Sequence, residues 1–199
     1  PPHLTERALE IRRAALGDAH PLVALSSSHL GLAHLDRGDP ARAVEHYRRA
    51  VDIFQALTLN LDAALALTNL GLVALASSRF LEAEDALRRA LKNVRRLDAS
   101  PYLLIGITLN LDQLLTQTHR VDEALPLLDE GCALLQNTQL VDPDYARPLE
   151  AIADHLSADP SAHPRALALY HLAISQWQEL GRTDDLRRAT ARLEAISAP

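Results

Sequence analysis

The sequence has no methionine, one cysteine (Cys132), one tryptophan (Trp177) and one lysine (Lys92). A lone cysteine excludes an internal disulfide and fits a reducing cytoplasm. Aromatic residues make up 4% of the chain against 48% hydrophobic residues, mainly Ala and Leu, a balance that suits closely packed helices and argues against a β-sandwich. No apolar run reaches 18 residues and the amino end is not signal-like, so neither a membrane span nor secretion is indicated. The missing start methionine leads us to expect a processed product or a piece of a longer protein. One lysine among so many arginines points to GC-rich, bacterial coding.

Charge excludes further classes. The formal net charge is −6 and the sequence pI about 5.8, which gives no electrostatic footprint for nucleic acid. Arginine doublets recur at Arg12–Arg13, Arg48–Arg49, Arg88–Arg89 and Arg187–Arg188, but Glu10, Glu45, Glu84 and Asp85 are interleaved with them. That pattern describes a solvated, mixed-charge outer face. Among the nine histidines no two are three or four apart, the spacing that places ligands on one helical face, so no metal site is expected. His29 and His34 are five apart and face differently. Asp142 and Asp144 flank a proline before a helix and read as capping carboxylates, not calcium ligands. There is no Gly-rich phosphate loop, nucleophile elbow or zinc-protease motif. Cys132 reads as an inert packed thiol and Trp177 as a core residue. Neither a cofactor nor enzymatic activity is expected.

What is present is a repeat. Gly31 is followed twelve, sixteen and nineteen residues on by Ala43, Tyr47 and Ala50. The same offsets from Gly71 give Ala83, Leu87 and Ala90; from Asp112 they give Ala124, Leu128 and Gly131; from Asp154 they give Ala166, Tyr170 and Ala173. Leu30, Leu70, Leu111 and Ala153 precede the four starts. Two helices joined by a tight turn approach to roughly 8–10 Å only where the side chains at the crossing are small. Gly31, Ala43, Ala50, Gly71, Ala83, Ala90, Ala124, Gly131, Ala166 and Ala173 are therefore expected at helix crossings. Tyr47, Leu87, Leu128 and Tyr170 fill the space beside them. A hairpin of this kind buries only part of its apolar surface and is stable when stacked in a row.

The pattern resembles the tetratricopeptide repeat family, in the long variety of kinesin light chains and many bacterial multidomain proteins. The resemblance rests on ALEIRRAALGDAHPLVA from Ala8 to Ala24, then HLGLAHLDRGDPARAVEHYRRAVDI and TNLGLVAL. Ala8, Ala50, Ala90, Gly131 and Ala173 lie 42, 40, 41 and 42 residues apart, longer than the common unit of about 34 residues. Asp112 and Asp154 depart from the family's small residue. The resemblance implies an all-α, right-handed α-solenoid of antiparallel hairpins with about ten helices.

Read along the chain, 1–199 forms a single repeat domain. It begins with a lone helix at 4–16 whose apolar stripe is Leu4, Ala8, Ile11 and Ala15. Hairpins follow at 22–57, 61–97, 101–138 and 144–180, and a capping helix at 183–197 carries a charged remainder expected to face water. Asp39 reads as an N-cap with Pro40 at the first helical position, and Asn60 reads as the cap of the next hairpin's first helix. Tyr102 to Asn110 has the branched residues of a strand, but the repeat register makes it helical. The amino end looks open.

The resemblance further implies that the first helix of each hairpin lines a concave ligand face. Its positions here are Leu25, Ser28, Leu32 and Leu35; Leu65, Thr68, Leu72 and Leu75; and Gly106, Leu109, Gln113 and Thr116. His29, Asn69 and Asn110 form a ladder able to hydrogen-bond a peptide backbone. Leu35 and Leu75 equally suit sealing of helix against helix. The expected function is a scaffold binding a protein or peptide, with no nucleic acid or membrane partner. Alternatives are the sensor region of a bacterial kinase, peptide-responsive transcription regulator or caspase-like protease, and a module that self-associates through its open amino end.

Overall fold

The computed structural model describes residues 2–97 and 101–197. They form ten α-helices: α1 Pro2–Leu16, α2 Pro21–Leu35, α3 Pro40–Ala56, α4 Asn60–Ala76, α5 Phe80–Arg96, α6 Pro101–Gln117, α7 Val121–Thr138, α8 Pro143–Leu156, α9 His163–Glu179 and α10 Thr183–Ser197. A short 3₁₀ turn, Pro160–Ala162, precedes α9. No strand occurs among the described residues, and Tyr102 to Asn110 is helical as the register requires. No helix among them is long and apolar enough to cross a membrane. Packing divides the chain into two compact units, Pro1–Leu103 and Leu104–Pro199.

Local chemistry sets the helix ends in the first unit. His20 caps α2, its Nδ1 accepting the Leu22 amide at 3.2 Å, and Pro21 follows in the first turn. Asp39 caps α3 by accepting the Arg42 amide at 3.1 Å, ahead of Pro40. Asn60 is not a cap: α4 already includes it, and Leu59 in the capping position makes no side-chain bond. The turn after α2 is closed by Gly38 at φ +74°, and the matching turns after α4 and α6 put Ser78 and His119 in the same left-handed conformation.

The first unit holds together at the small residues. Ala43, Ala50, Ala83 and Ala90 are fully buried. A methyl group built on Gly31 would stand 2.9 Å from the Tyr47 ring, and one on Gly71 would stand 2.7 Å from Leu87 Cγ. The large residue sixteen places on thus packs flat on the glycine, leaving no room for a side chain. Across the outer face Arg48 Nε donates to Glu82 at 2.8 Å and Arg89 donates to Gln55 at 2.9 Å, linking α3 to α5. The apolar stripe expected on α1 is not its packing side. Leu4 and Ile11 are exposed, whereas Leu9 is buried and Arg12 bonds Ser26 of α2.

In the second unit Ile105, Leu109, Leu128, Leu135, Tyr145, Leu149, Ile152 and Tyr170 form one core drawn from α6, α7, α8 and α9. Gly131 lies against Thr108 and Leu109, where an added methyl would meet Thr108 Oγ1 at 2.9 Å. A smaller cluster of Ala146, Trp177 and Ala189 joins α8, α9 and α10. Asp142 caps α8, accepting the Asp144 amide at 2.8 Å, so these carboxylates serve the helix start.

Candidate functional site

The faces of the first helices differ between the two units. On α2, Leu25 is 40% and Leu32 51% exposed, and on α4 Leu65 is 43% exposed. His29 and Asn69, at matching places in the two helices, are exposed beside them, while Ser28, Thr68 and Leu72 are half-buried. Leu25, His29 and Leu32 are spaced by four and three, as are Leu65, Asn69 and Leu72, so each trio occupies one helical face. The helices carry almost no charge: α2 has no Asp, Glu, Lys or Arg, and α4 has only Asp62. Thr68 donates its hydroxyl to the Ala64 carbonyl at 2.8 Å, so that group is used within the helix. Leu35 stays partly exposed and Leu75 is half-buried.

In the second unit the expected ligand face is not presented. Leu109 is fully buried, Thr116 and Asn110 are buried, and Gln113 and Gly106 are half-buried. The Asn110 amide donates to the Gly106 carbonyl of its own helix at 2.6 Å. Tyr145 of α8 lies 3.7 Å from where a Gly106 side chain would start. A helix buried nearly all round reads in sequence like α2 and α4, which are apolar on their exposed faces too, because leucine suits a core and a sticky surface equally. Leu109, Asn110 and Thr116 therefore act as packing residues here.

Two polar groupings went unseen in the sequence. Asp112 takes the crossing position held by glycine in the first two hairpins, is fully buried, and neither carboxylate oxygen has a hydrogen-bond partner. Burial pushes its pKa up to about 8; the Arg165 charge pulls it down and the Asp129 charge pushes it up. At the equivalent place in the next hairpin Asp154 accepts the hydroxyl of Tyr170, the residue sixteen further on. The signal was available there, since an acid at offset zero can pair with a tyrosine at offset sixteen but not with Leu128. The second grouping is a stacked pair, His34 and His46, with ring centroids 5.2 Å apart and planes 10° from parallel.

No group of three or more His, Cys, Asp or Glu that could hold a metal occurs among the described residues. The Cys132 thiol is half-buried, and burial, with the charges of Asp112 and Asp129, pushes its pKa up to about 12, leaving no thiolate at neutral pH. A surface depression of about 400 Å³ lies on α5, lined by Leu81 and mixed charges including Asp85, Arg89 and Lys92. It belongs to one helix's outer face and lies on a different helix from the apolar faces of α2 and α4.

Residues 4–56 match the tetratricopeptide repeat family. This segment is a tetratricopeptide repeat. Solved structures extend the likeness of fold to nearly all of the chain. A Podosopora anserina protein of kinesin-light-chain type with nearly identical TPR-like repeats aligns over 91% of this chain and 87% of its own, at 19% identity and a TM-score of 0.70. A Rap protein solved in complex with Competence and Sporulation Factor aligns over 98% of this chain at 15% identity and a TM-score of 0.64; this chain spans 57% of its length. YrrB, described as a TPR protein with an unusual peptide-binding site, aligns over 95% of this chain and 92% of its own, at 15% identity and a TM-score of 0.52. Comparison with curated protein sequences finds no match. The fold is thus that of tetratricopeptide-like antiparallel helix hairpins, and the helix faces carry what is particular to this chain.

Proposed function

We propose that the chain is a protein-interaction module that holds an apolar segment of a peptide or partner protein on the exposed faces of α2 and α4. The observation that carries this is the pair of matched, nearly uncharged faces, with Leu25, Leu32 and Leu65 exposed beside His29 and Asn69. Leucines held open on rigid helices bind by shedding water when covered, each contributing about 1–2 kcal/mol when half of its surface is buried. Asn69 and His29 supply hydrogen bonds for register, which become valuable once water is excluded. With no cation on α2 or α4, the face is suited to apolar ligand side chains and not to an acidic chain end. The Rap complex and the YrrB structure support a peptide ligand by likeness of fold.

The test starts with peptides selected from a random display library on the full chain. Selected sequences should share bulky apolar residues at fixed spacing. Leu25→Ser with Leu65→Ser should weaken them by roughly 30-fold, about 2 kcal/mol, without unfolding the protein, because both side chains are surface residues. Unchanged affinity in the double variant would remove α2 and α4 from the site. A second reading, the sensor region of a larger signalling protein, draws on the Rap likeness, where this chain matches 57% of that protein. The complete gene tests it by the presence or absence of an effector domain.

A further inference from the structure

The repeat pattern does not account for a ladder of charges joining α10 to α8. Glu150 is only 3% exposed yet accepts four hydrogen bonds. Trp177 Nε1 donates at 3.2 Å, Arg188 donates from Nε at 2.8 Å and Nη2 at 2.9 Å, and Arg192 Nη1 donates at 3.1 Å. Arg192 also pairs with Asp154, and Arg188 with Asp185 at 2.7 Å. Glu150 and Asp154 are four apart on α8, as are Arg188 and Arg192 on α10, so two carboxylates one turn apart face two guanidinium groups one turn apart. The apolar contribution of α10 is thin: Ala189 is its one buried residue among those described, with Leu186, Leu193 and Ile196 partly buried.

We propose that α10 is a latch: a helix held on α8 and α9 chiefly by this ladder, which opens as a unit while the α8–α9 hairpin stays folded. A carboxylate as deeply covered as Glu150 is tolerated only while its donors are in place, so losing the arginines favours the state in which α10 lifts and water reaches Glu150. Opening uncovers the side of Trp177 that packs with Ala189, while Ala146 of α8 stays against it. Few apolar contacts and a charge-dependent attachment place α10 among the segments that open below the free energy of global unfolding.

The sole tryptophan reports the event directly. In the full chain, amide exchange of 183–197 should be faster than that of 163–179. Arg188→Gln with Arg192→Gln should accelerate it on the order of a hundredfold, while α9 amides hold and Trp177 becomes quenchable by acrylamide. A triple variant, Glu150→Gln, Arg188→Met and Arg192→Leu, should return α10 toward wild-type protection, because the glutamine carries no charge to bury and its side-chain oxygen still accepts from Trp177 Nε1. The latch is overturned if α10 and α9 amides exchange together in the wild type, if the double variant leaves α10 protection unchanged, or if it strips protection from α8 and α9 as well.

Discussion

Replacing Asp112 by asparagine is expected to stabilise the protein at neutral pH and to have little effect near pH 4. The carboxyl group is fully buried on α6, both oxygens lack partners, and Leu128, the residue sixteen places on, offers no hydrogen bond. Burial lifts its pKa from 3.8 to about 8, with Arg165 opposing and Asp129 assisting. The folded protein therefore keeps a proton that the unfolded chain releases, and between about pH 4 and 8 stability falls with rising pH by about 1.4 kcal/mol per pH unit. By pH 7 the loss amounts to about 4 kcal/mol, a large part of a typical domain's stability. Asparagine keeps the shape and an equally unpartnered polar group, so the difference between the two proteins isolates ionisation. Denaturant unfolding followed by circular dichroism at intervals from pH 4 to 8 should give curves that meet at the acid end and diverge steadily toward pH 8. Curves running parallel across that window would refute the reasoning, since Asp112 would then titrate alike in both states.

Other residues give sharper local tests. Gly31→Ala places a methyl 2.9 Å from the buried Tyr47 ring, and thermal melts should show a loss of about 1–3 kcal/mol despite alanine's better helix propensity. Ser78→Gly should add about 0.5–1 kcal/mol, read as a higher urea midpoint, because Ser78 sits at φ 57° where hairpin one has Gly38. Burial and the neighbouring His34 lower the His46 pKa below 6.5, so the unfolded chain takes up the proton first and stability is lost as pH falls below that value. His46→Gln should remove part of that loss in melts compared at pH 7 and 5.

Spacing alone carried much of this fold. Gly31 with Tyr47 and Gly71 with Leu87 are legible because a small residue and a large one at a fixed offset can only mean a close crossing, and the structure packs each pair in contact. The exposed Leu25 and Leu65 follow from the same register. The register does not report what covers a helix. Asn110 matches Asn69 in sequence, yet one is buried against its own helix and the other faces solvent. The arginines of α10 were hidden for a different reason: a long side chain on a mixed-charge helix can reach inward along an apolar stem, and Arg188 and Arg192 do so toward Glu150.

The binding face is tested most directly by its footprint. Amide chemical shifts of the isotope-labelled chain, recorded with and without a selected apolar peptide, should change along α2 and α4 around Leu25, His29, Leu32, Leu65 and Asn69, and stay constant in α7 and α9. Shifts confined to the outer face of α5 or to the second unit would contradict the assignment.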